Sequence, residues 1–209
     1  MTTPPAAVVF DMGGVLSGPP FAELEDYCIE LGLERHALSS YFRGDPEFSR
    51  VEVGAMDALD FFTRLPNRIL NEFGVAIDPA RIRDGFLAAR PLLPEMLSLA
   101  EELARGHTVA IMTNNVADGE KWYTENLPTG VFAFIMNSAV IGMRKPDEAI
   151  YVELLRRLGT PPSDVVFVDD FAENLEPAKA LGIKTVLFTD IADCRTQLVR
   201  LGAVLAETA

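Results

Sequence analysis

A short apolar run that ends on a carboxylate most constrains how this chain can fold. Residues 8–10 (Val-Val-Phe) have the composition of a strand buried on both faces, and Asp11 follows them directly. Gly13 and Gly14 then turn the chain. In an open parallel sheet, a carboxylate at the end of a strand lies at the edge where ligands bind. Asp and Gly are also ordinary turn residues, so this stretch alone leaves a simple turn as an equal alternative.

The same pattern recurs in the second half of the chain. Further apolar runs, separated by helical stretches, lie at residues 108–112, 132–136, 165–168 and 184–188. Strands that alternate with helices form βαβ units and a parallel sheet covered on both faces. The sequence therefore predicts an α/β fold with a Rossmann-like, three-layer core around a parallel sheet.

Residues 18–89 differ from the rest because no strand pattern interrupts their helical stretches. The predicted helices cover residues 21–31, 35–42, 54–73 and 79–89. Pro66 is expected to break or kink the third of them. We therefore expect an all-helical insert at 18–89 within an α/β core formed by residues 1–17 and 90–209.

The acidic composition disfavours partners that are themselves negatively charged. The 209-residue chain has a formal net charge of −13, which disfavours nucleic acid and anionic membranes because both bind basic surfaces. Cys28 and Cys194 have no metal-binding spacing, as expected of reduced thiols. No stretch has the form of a signal peptide or a membrane span. We expect a cytoplasmic protein, monomeric or homodimeric, that binds a small molecule.

Polar residues recur where the predicted strands end. These residues are Asp11, Thr113, Asn114, Asp169 and Asp170. Lys145 opens a helix shortly after the run at 132–136. Each residue alone has an ordinary explanation as a cap, a turn or a surface group. Parallel strands point their carboxyl ends the same way, so the joint occurrence of these residues in this order favours one shared pocket.

Such a pocket has the composition of a phosphoryl-transfer site. Crowded carboxylates repel one another unless a cation lies among them, and hard oxygen ligands suit Mg²⁺. A carboxylate beside Mg²⁺ and Lys145 can attack phosphorus and form an aspartyl-phosphate, while both cations neutralise the phosphoryl oxygens. The Thr113 hydroxyl and nearby backbone N–H groups would complete the phosphate cradle.

Four motifs in this order resemble those of the haloacid dehalogenase-like (HAD) superfamily of hydrolases. They are Phe10-Asp11-Met12-Gly13-Gly14-Val15-Leu16, Met112-Thr113-Asn114, Lys145-Pro146 and Val168-Asp169-Asp170. The resemblance covers nearly the whole chain and gives the helical insert the position of a type C1 cap. It is nearest to the N-terminal phosphatase domain of soluble epoxide hydrolases and to small bacterial sugar-phosphate phosphatases.

The resemblance implies a role for each motif residue. The implied Mg²⁺ ligands are Asp11, the backbone carbonyl of Gly13, Asp170 and, directly or as a partner of a ligand, Asp169. Asp11 is also the implied nucleophile. Thr113 and Asn114 are expected to bind phosphate, and Lys145 to steady the nucleophile and the phosphoryl oxygens.

One position departs from the pattern of the family's phosphatases. They usually carry a second Asp two residues after the nucleophile, as general acid for the leaving group, and Gly13 stands there in this chain. Three hypotheses follow: a phosphatase whose leaving group needs little protonation, such as a sugar 1-phosphate; a 2-haloacid dehalogenase; or a weakly active binding module. Asp11, Lys145 and the Asp169–Asp170 pair favour a Mg²⁺-dependent phosphatase of a small phosphorylated metabolite.

The helical insert is expected to close over the pocket and to select the substrate. Arg43, Arg50 and Tyr41 are candidate contacts with the leaving group, although surface positions are the more common explanation for such side chains. His107 fits a turn. Trp122 fits either the rim of the pocket or packing against other apolar residues, and packing is the preferred interpretation.

Overall fold

The α/β part of the protein is built on a five-stranded parallel sheet. The computed structural model describes residues 3–19, 21–87, 91–117 and 119–204. The strands are β1 Ala7–Phe10, β2 Thr108–Thr113, β3 Ile135–Asn137, β4 Val165–Asp169 and β5 Lys184–Leu187. All neighbouring strands are parallel, in the spatial order β3-β2-β1-β4-β5.

Helices occupy most of the remaining described chain. They are α1 Ala22–Glu30, α2 Pro46–Glu52, α3 Ala58–Phe73, α4 Pro79–Leu87, α5 Pro94–Leu103, α6 Gly119–Asn126, α7 Ser138–Ile141, α8 Glu148–Leu158, α9 Ala172–Ala180 and α10 Ile191–Arg200. Short 3₁₀ turns lie at Ser39–Phe42 and Pro162–Asp164. Within the described residues, no helix is both long and apolar enough to cross a membrane.

The strands are buried on both faces, which gives the sheet its two covering layers. Val8 and Phe10 pack in one apolar cluster together with residues of α5 and α10. Ala7 and Val9, which point the other way, pack in a second cluster with residues of α8 and α9. The three-layer α/β core predicted from the sequence is therefore confirmed.

Strand order determines where a site can form. The chain passes from the central strand β1 outward through β2 to β3, and then returns to place β4 on the other side of β1. In register, Phe10 pairs with Ile111 on one side and with Val168 on the other. The connections diverge at this point, so a crevice opens at the carboxyl end of β1 between the ends of β2 and β4.

The described chain between β1 and α5 is helical and builds an apolar cluster of its own. Side chains of α1 to α4 bury one another there, joined by Val116 from the α/β part. Ser17 pairs antiparallel with Leu92, and the Gly18 N–H donates to the Pro91 carbonyl at 3.0 Å. The chain thus leaves and re-enters the α/β part at one place. Residues 88–90, which include the predicted boundary at 89/90, lie outside the described residues, and the division into core and cap stays a prediction.

The insert differs from expectation at two places. Of the two effects expected of Pro66, a break is wrong, because α3 runs without interruption from Ala58 to Phe73. Its buried face includes Phe61, Leu65 and Ile69, and burial of several such side chains outweighs the roughly 3 kcal/mol cost of an internal proline. Residues 46–52, for which the apolar pattern predicts no helix, form α2.

Capping side chains explain where α2 and α3 begin, which the apolar pattern did not predict. Asp45 accepts hydrogen bonds from the N–H groups of Glu47 and Phe48 at the start of α2. Asp57 accepts from the Leu59 N–H at 2.7 Å, so α3 begins at Ala58 rather than at residue 54.

His107 has a tertiary role that a turn residue lacks. Its Nδ1 lies 2.6 Å from the Pro5 carbonyl oxygen and its Nε2 lies 2.8 Å from that of Ala203. The imidazole therefore links two segments that are far apart in sequence. The edge strand β3 also differs slightly from expectation, since it covers Ile135–Asn137 instead of residues 132–136.

Gly54 fixes the end of α2 against the α/β part. Its φ is +68°, and a Cβ at this position would lie 2.5 Å from the carbonyl oxygen of Ala139 in α7. Glycine is required here both for the backbone conformation and for the close approach of two backbones.

We expect Gly54→Ala to lower the free energy of unfolding by about 3 kcal/mol or more, since it adds a steric overlap to left-handed backbone strain. Gly74→Ala is the matched control, because Gly74 has the same φ of +68° and a Cβ there meets no atom within 4 Å. Backbone strain alone should cost about 1–2 kcal/mol in the control. Urea denaturation measures both, and equal losses would show that α2 is not held tightly against α7.

Candidate active site

A lysine is buried between two carboxylates at the carboxyl edge of the sheet. The Nζ of Lys145 lies 2.8 Å from Oδ1 of Asp11 and 2.6 Å from Oδ2 of Asp169, and the residue is 1% exposed. Burial by itself lowers the pKa of Lys145, but the two carboxylates outweigh it and the pKa is raised. The ammonium therefore stays charged and ties the end of β1 to the end of β4.

Asp11 is held on only one of its carboxylate oxygens. Oδ1 accepts from Lys145 and from the Met12 N–H at 2.7 Å, whereas none of the described residues donates to Oδ2. Burial raises the pKa of Asp11 to about 6, against the opposing charge of Lys145 and with the support of Asp169. A carboxylate fixed on one oxygen and open on the other is suited to attack an electrophile or to bind a metal.

The two adjacent aspartates have different surroundings. Asp169 accepts from Lys145, from the Phe171 N–H at 2.8 Å, and from the side-chain amide of Asn174 at 3.0 and 3.1 Å. The Oδ1 of Asp170 is buried and has no hydrogen-bond partner among the described residues. Burial raises the pKa of Asp170 to about 7, and the charges of Asp11 and Asp169 act in the same direction. The protein thus satisfies Asp169 and leaves Asp170 in need of a partner.

The carboxylate cluster is suited to a hard divalent cation. Carboxylate oxygens of Asp11, Asp169 and Asp170 lie within 4.8 Å of one another. A Cβ at Gly14 would overlap Oδ2 of Asp170, so only glycine leaves room for this carboxylate. In the hydrogen bonds of the turn, the Gly13 carbonyl accepts nothing from the described residues. An unsatisfied buried oxygen within an all-oxygen donor set fits Mg²⁺.

The loop after β2 contributes Thr113 and Asn114. Thr113 is buried at the end of the strand and lines the cavity above Asp11. The Asn114 amide accepts from the Lys145 backbone N–H and donates to the Lys145 carbonyl, both at 2.8 Å. Its side chain therefore holds the backbone of Lys145, so any contact of Asn114 with a phosphate would come from its backbone N–H.

A cavity of about 630 Å³ opens above this charged floor. Among the described residues that line it, Asp11, Gly13, Thr113, Asn114 and Lys145 come from the predicted site. The aromatic wall of the cavity consists of Phe21, Phe42, Phe48 and Phe86 from the insert, with Trp122 and Phe171 from the α/β part. The rings of Phe42 and Phe86 stack with centroids 4.8 Å apart. The cavity thus combines a group of charged residues at the sheet edge with a group of aromatic rings, most of which belong to the insert.

The three candidate contacts in the insert have different positions. Arg43 lines the cavity, with its guanidinium carbon 5.0 Å from the centroid of Phe21 and 4.8 Å from that of Phe171. Tyr41 donates a hydrogen bond to Glu72, and Arg50 is exposed; neither lines the cavity. Trp122 does both things that the sequence allows, because it lines the cavity and packs against the apolar cluster of the sheet.

Sequence reasoning missed an ion pair that joins the insert to the α/β part. Oε2 of Glu52, at the end of α2, lies 2.7 Å from Nε of Arg144, although the two atoms are not aligned for a hydrogen bond. Both side chains line the cavity, and Glu52 is 6% exposed. Burial raises the pKa of Glu52 to about 7, and Arg144 opposes that rise. The sequence does contain a signal for the helix that carries Glu52, because Asp45 and Pro46 are a cap and a first-turn proline that start α2. It contains no signal for the ion pair itself.

Comparison with known sequences gives one family and several relatives. The family model for haloacid dehalogenase-like hydrolases matches residues 5–182. The sesquiterpene phosphatase astK of Aspergillus oryzae is 32% identical over 203 residues, which cover 93% of this chain and 95% of that protein. Bifunctional epoxide hydrolase 2 of Mus musculus is 37% identical over 123 residues, or 55% of this chain. That match spans only 22% of the length of the epoxide hydrolase.

Solved structures share the fold. A HAD-like family hydrolase from Porphyromonas gingivalis has a TM-score of 0.72 at 22% identity and covers 95% of this chain and 99% of its own. A HAD family enzyme from Bacteroides thetaiotaomicron, in complex with magnesium and inorganic phosphate, has a TM-score of 0.61 at 20% identity over 86% and 92%. A dehalogenase has a TM-score of 0.65 at 23% identity over 88% and 85%. At these identities the likeness concerns the fold alone.

Without a divalent cation, the protein is expected to lose stability as the pH rises from about 4 to about 7. The pKa values of Asp11 (about 6) and Asp170 (about 7) lie above their ordinary 3.8, so the folded state holds more protons than the unfolded state in this window. Between 3.8 and its raised pKa, each such group lowers the free energy of unfolding by about 1.4 kcal/mol per pH unit, and above the raised pKa the loss is complete.

Chemical denaturation in a chelating buffer measures this slope. Asp170→Asn removes one of the buried carboxyls with a raised pKa and should flatten the pH dependence, with its largest gain in stability at the alkaline end. A slope that is identical in the variant and the original protein would contradict the assignment.

Proposed function

Because the chain belongs to the haloacid dehalogenase-like hydrolase family, we propose that it is a Mg²⁺-dependent phosphatase of a small phosphate monoester. The observation that carries this proposal is Asp11, held on one oxygen by the buried Lys145 and facing a cavity large enough for a small molecule. A nucleophile paired with a fixed cation at a sheet edge is suited to phosphoryl transfer.

The proposed metal ligands are Asp11, Asp170 and the carbonyl oxygen of Gly13. Asp169 is assigned to holding Lys145, because its oxygens already accept hydrogen bonds from protein donors. When bound, Mg²⁺ would supply positive charge beside the phosphoryl oxygens. A Bacteroides thetaiotaomicron enzyme with the same fold is described in complex with magnesium and inorganic phosphate, which supports the choice of metal by analogy.

The chain's own residues would act in two steps. In the first, a carboxylate oxygen of Asp11 attacks phosphorus, the ester P–O bond breaks, and the leaving oxygen takes the electron pair. Lys145 keeps the nucleophile oriented, while the Thr113 hydroxyl and the Asn114 backbone N–H donate to phosphoryl oxygens. In the second step, water attacks phosphorus, inorganic phosphate leaves, and the Asp11 carboxylate is restored.

The aromatic wall favours a substrate whose leaving group is apolar. Phe42, Phe48 and Phe86 line the cavity and offer no hydrogen-bonding groups to sugar hydroxyls, which would lose their bound water when they pack against these rings. The relative from Aspergillus oryzae, which matches this chain along most of its length, is named as a sesquiterpene phosphatase. A sugar 1-phosphate is the second candidate, because Gly13 provides no side-chain acid and an anomeric hydroxyl leaves readily.

Two other activities fit the site less well. A 2-haloacid dehalogenase needs no cation, whereas Asp170 has a buried oxygen without a partner among the described residues. A binding module without turnover would not require Asp11 to be held with one oxygen open beside Lys145. Both rivals predict no hydrolysis of phosphate esters.

We expect Mg²⁺-dependent hydrolysis of p-nitrophenyl phosphate that stops in chelator. Asp11→Asn should lower kcat/KM at least about a thousandfold, because the amide cannot act as the nucleophile. Asp60→Asn, which makes the same change at an exposed position in α3, is the control and should be unaffected. Turnover that is unchanged in Asp11→Asn would exclude the aspartyl-phosphate.

A series of n-alkyl phosphates from butyl to decyl tests the aromatic wall. Each methylene buried against it contributes about 0.8 kcal/mol, so KM should fall about fourfold per carbon until the cavity is filled. Glucose 1-phosphate and glucose 6-phosphate are the polar comparisons. A KM that does not change with chain length, together with a preference for glucose 1-phosphate, would support the second candidate instead.

A further inference from the structure

We propose that Glu52, at the end of α2 in the insert, is the catalytic acid that protonates the leaving oxygen of the phosphate monoester. This inference rests on the proposed phosphatase function and extends it to a residue outside the four motifs. It also supplies the proton that an alkyl leaving group requires.

The chemistry of the first step creates the need for such a residue. An ordinary alcohol is a poor leaving group unless its oxygen gains a proton as the P–O bond breaks. Gly13 has no side chain to provide one, Asp11 is the nucleophile, and Lys145 is tied to two carboxylates. The donor must therefore come from elsewhere in the cavity.

Among the described residues, few others that line the cavity can give a proton. The lining carboxylates besides Asp11 are Glu52, Asp147 and Glu173, and only Glu52 is buried. The Tyr123 hydroxyl accepts a hydrogen bond from the side-chain amide of Asn115, and a phenol is a weaker acid than a carboxylic acid. An exposed carboxylic acid has lost its proton at neutral pH, whereas a buried one can keep it.

Glu52 is on the correct side of the cavity. In an in-line displacement the leaving oxygen lies opposite the attacking oxygen. Asp11 belongs to the sheet edge, so the leaving group extends away from that edge towards the insert, which carries Glu52. The tight contact between Gly54 and Ala139 fixes the end of α2 relative to the α/β part.

The surroundings of Glu52 suit a group that both gives and regains a proton. Burial raises its pKa to about 7, and the charged groups that act on it are Arg144, Lys145 and Asp11. Arg144 Nε, 2.7 Å from Oε2, stabilises the carboxylate that remains after proton transfer. A pKa near the working pH gives the most effective general acid.

The proton balance closes over the two steps. As the P–O bond to the leaving group breaks, its oxygen takes the electron pair and binds the proton of Glu52. In the second step the Glu52 carboxylate removes a proton from the attacking water while the bond between Asp11 and phosphorus breaks. Inorganic phosphate leaves, and Glu52 is again protonated.

The test compares two leaving groups in one variant. In Glu52→Gln, kcat/KM for an alkyl phosphate should fall about a hundredfold or more, while p-nitrophenyl phosphate, whose leaving group needs no proton, should lose less than about threefold. Because the ratio of the two rates in one preparation is the readout, loss of folded protein cancels.

Glu47→Gln is the matched control. Glu47 belongs to the same helix and also pairs with an arginine, Arg68, at 3.0 Å, but it does not line the cavity. Both rates should be unchanged in this variant. If kcat/KM falls equally for both substrates in Glu52→Gln, Glu52 only holds Arg144 in place. If kcat/KM is unchanged for both, Glu52 has no role in catalysis. Either result overturns the proposal. An original protein that hydrolyses neither ester would instead contradict the phosphatase function itself.

Discussion

The buried ammonium of Lys145 between Asp11 and Asp169 is the interaction on which the rest of the site depends. Removing one member of such a group leaves an uncompensated buried charge, at a cost of about 3–5 kcal/mol. The protein surrounds this group with further bonds: Asn114 holds the Lys145 backbone, and Asn174 holds Asp169. Three separate strand ends are thereby locked into one arrangement, so folding itself places the proposed nucleophile.

The charges and the shape of the cavity together define what the site can accept. Two of the three clustered carboxylates pair with Lys145, and among the described residues a buried oxygen of Asp170 has no partner, so the floor is suited to a further cation and, through it, to a phosphate. The aromatic wall has a different preference, because its rings gain stability by burying apolar groups. A phosphate monoester with an apolar tail satisfies both surfaces at once.

Some of this arrangement could be predicted from the sequence, and some could not. The apolar runs ending at Asp11, Thr113 and Asp169 sufficed for the sheet and the shared edge, because the geometry of parallel strands is nearly fixed. The different surroundings of Asp169 and Asp170 could not be predicted, since neighbouring residues at a strand end face different environments. The Glu52–Arg144 pair could not be predicted either, because it depends on how the insert packs on α7, which no local pattern encodes.

The central claim is that Asp11 carries a covalent phosphoryl group during turnover. Rapid acid quenching of the Mg²⁺-loaded protein with p-nitrophenyl phosphate, followed by mass spectrometry of its peptides, measures this directly. The account predicts a mass increment of one phosphoryl group on the peptide that contains Asp11, formed at least as fast as steady-state turnover and missing in Asp11→Asn. Steady release of phosphate with no phosphorylated peptide, or with the increment on another residue, would contradict it.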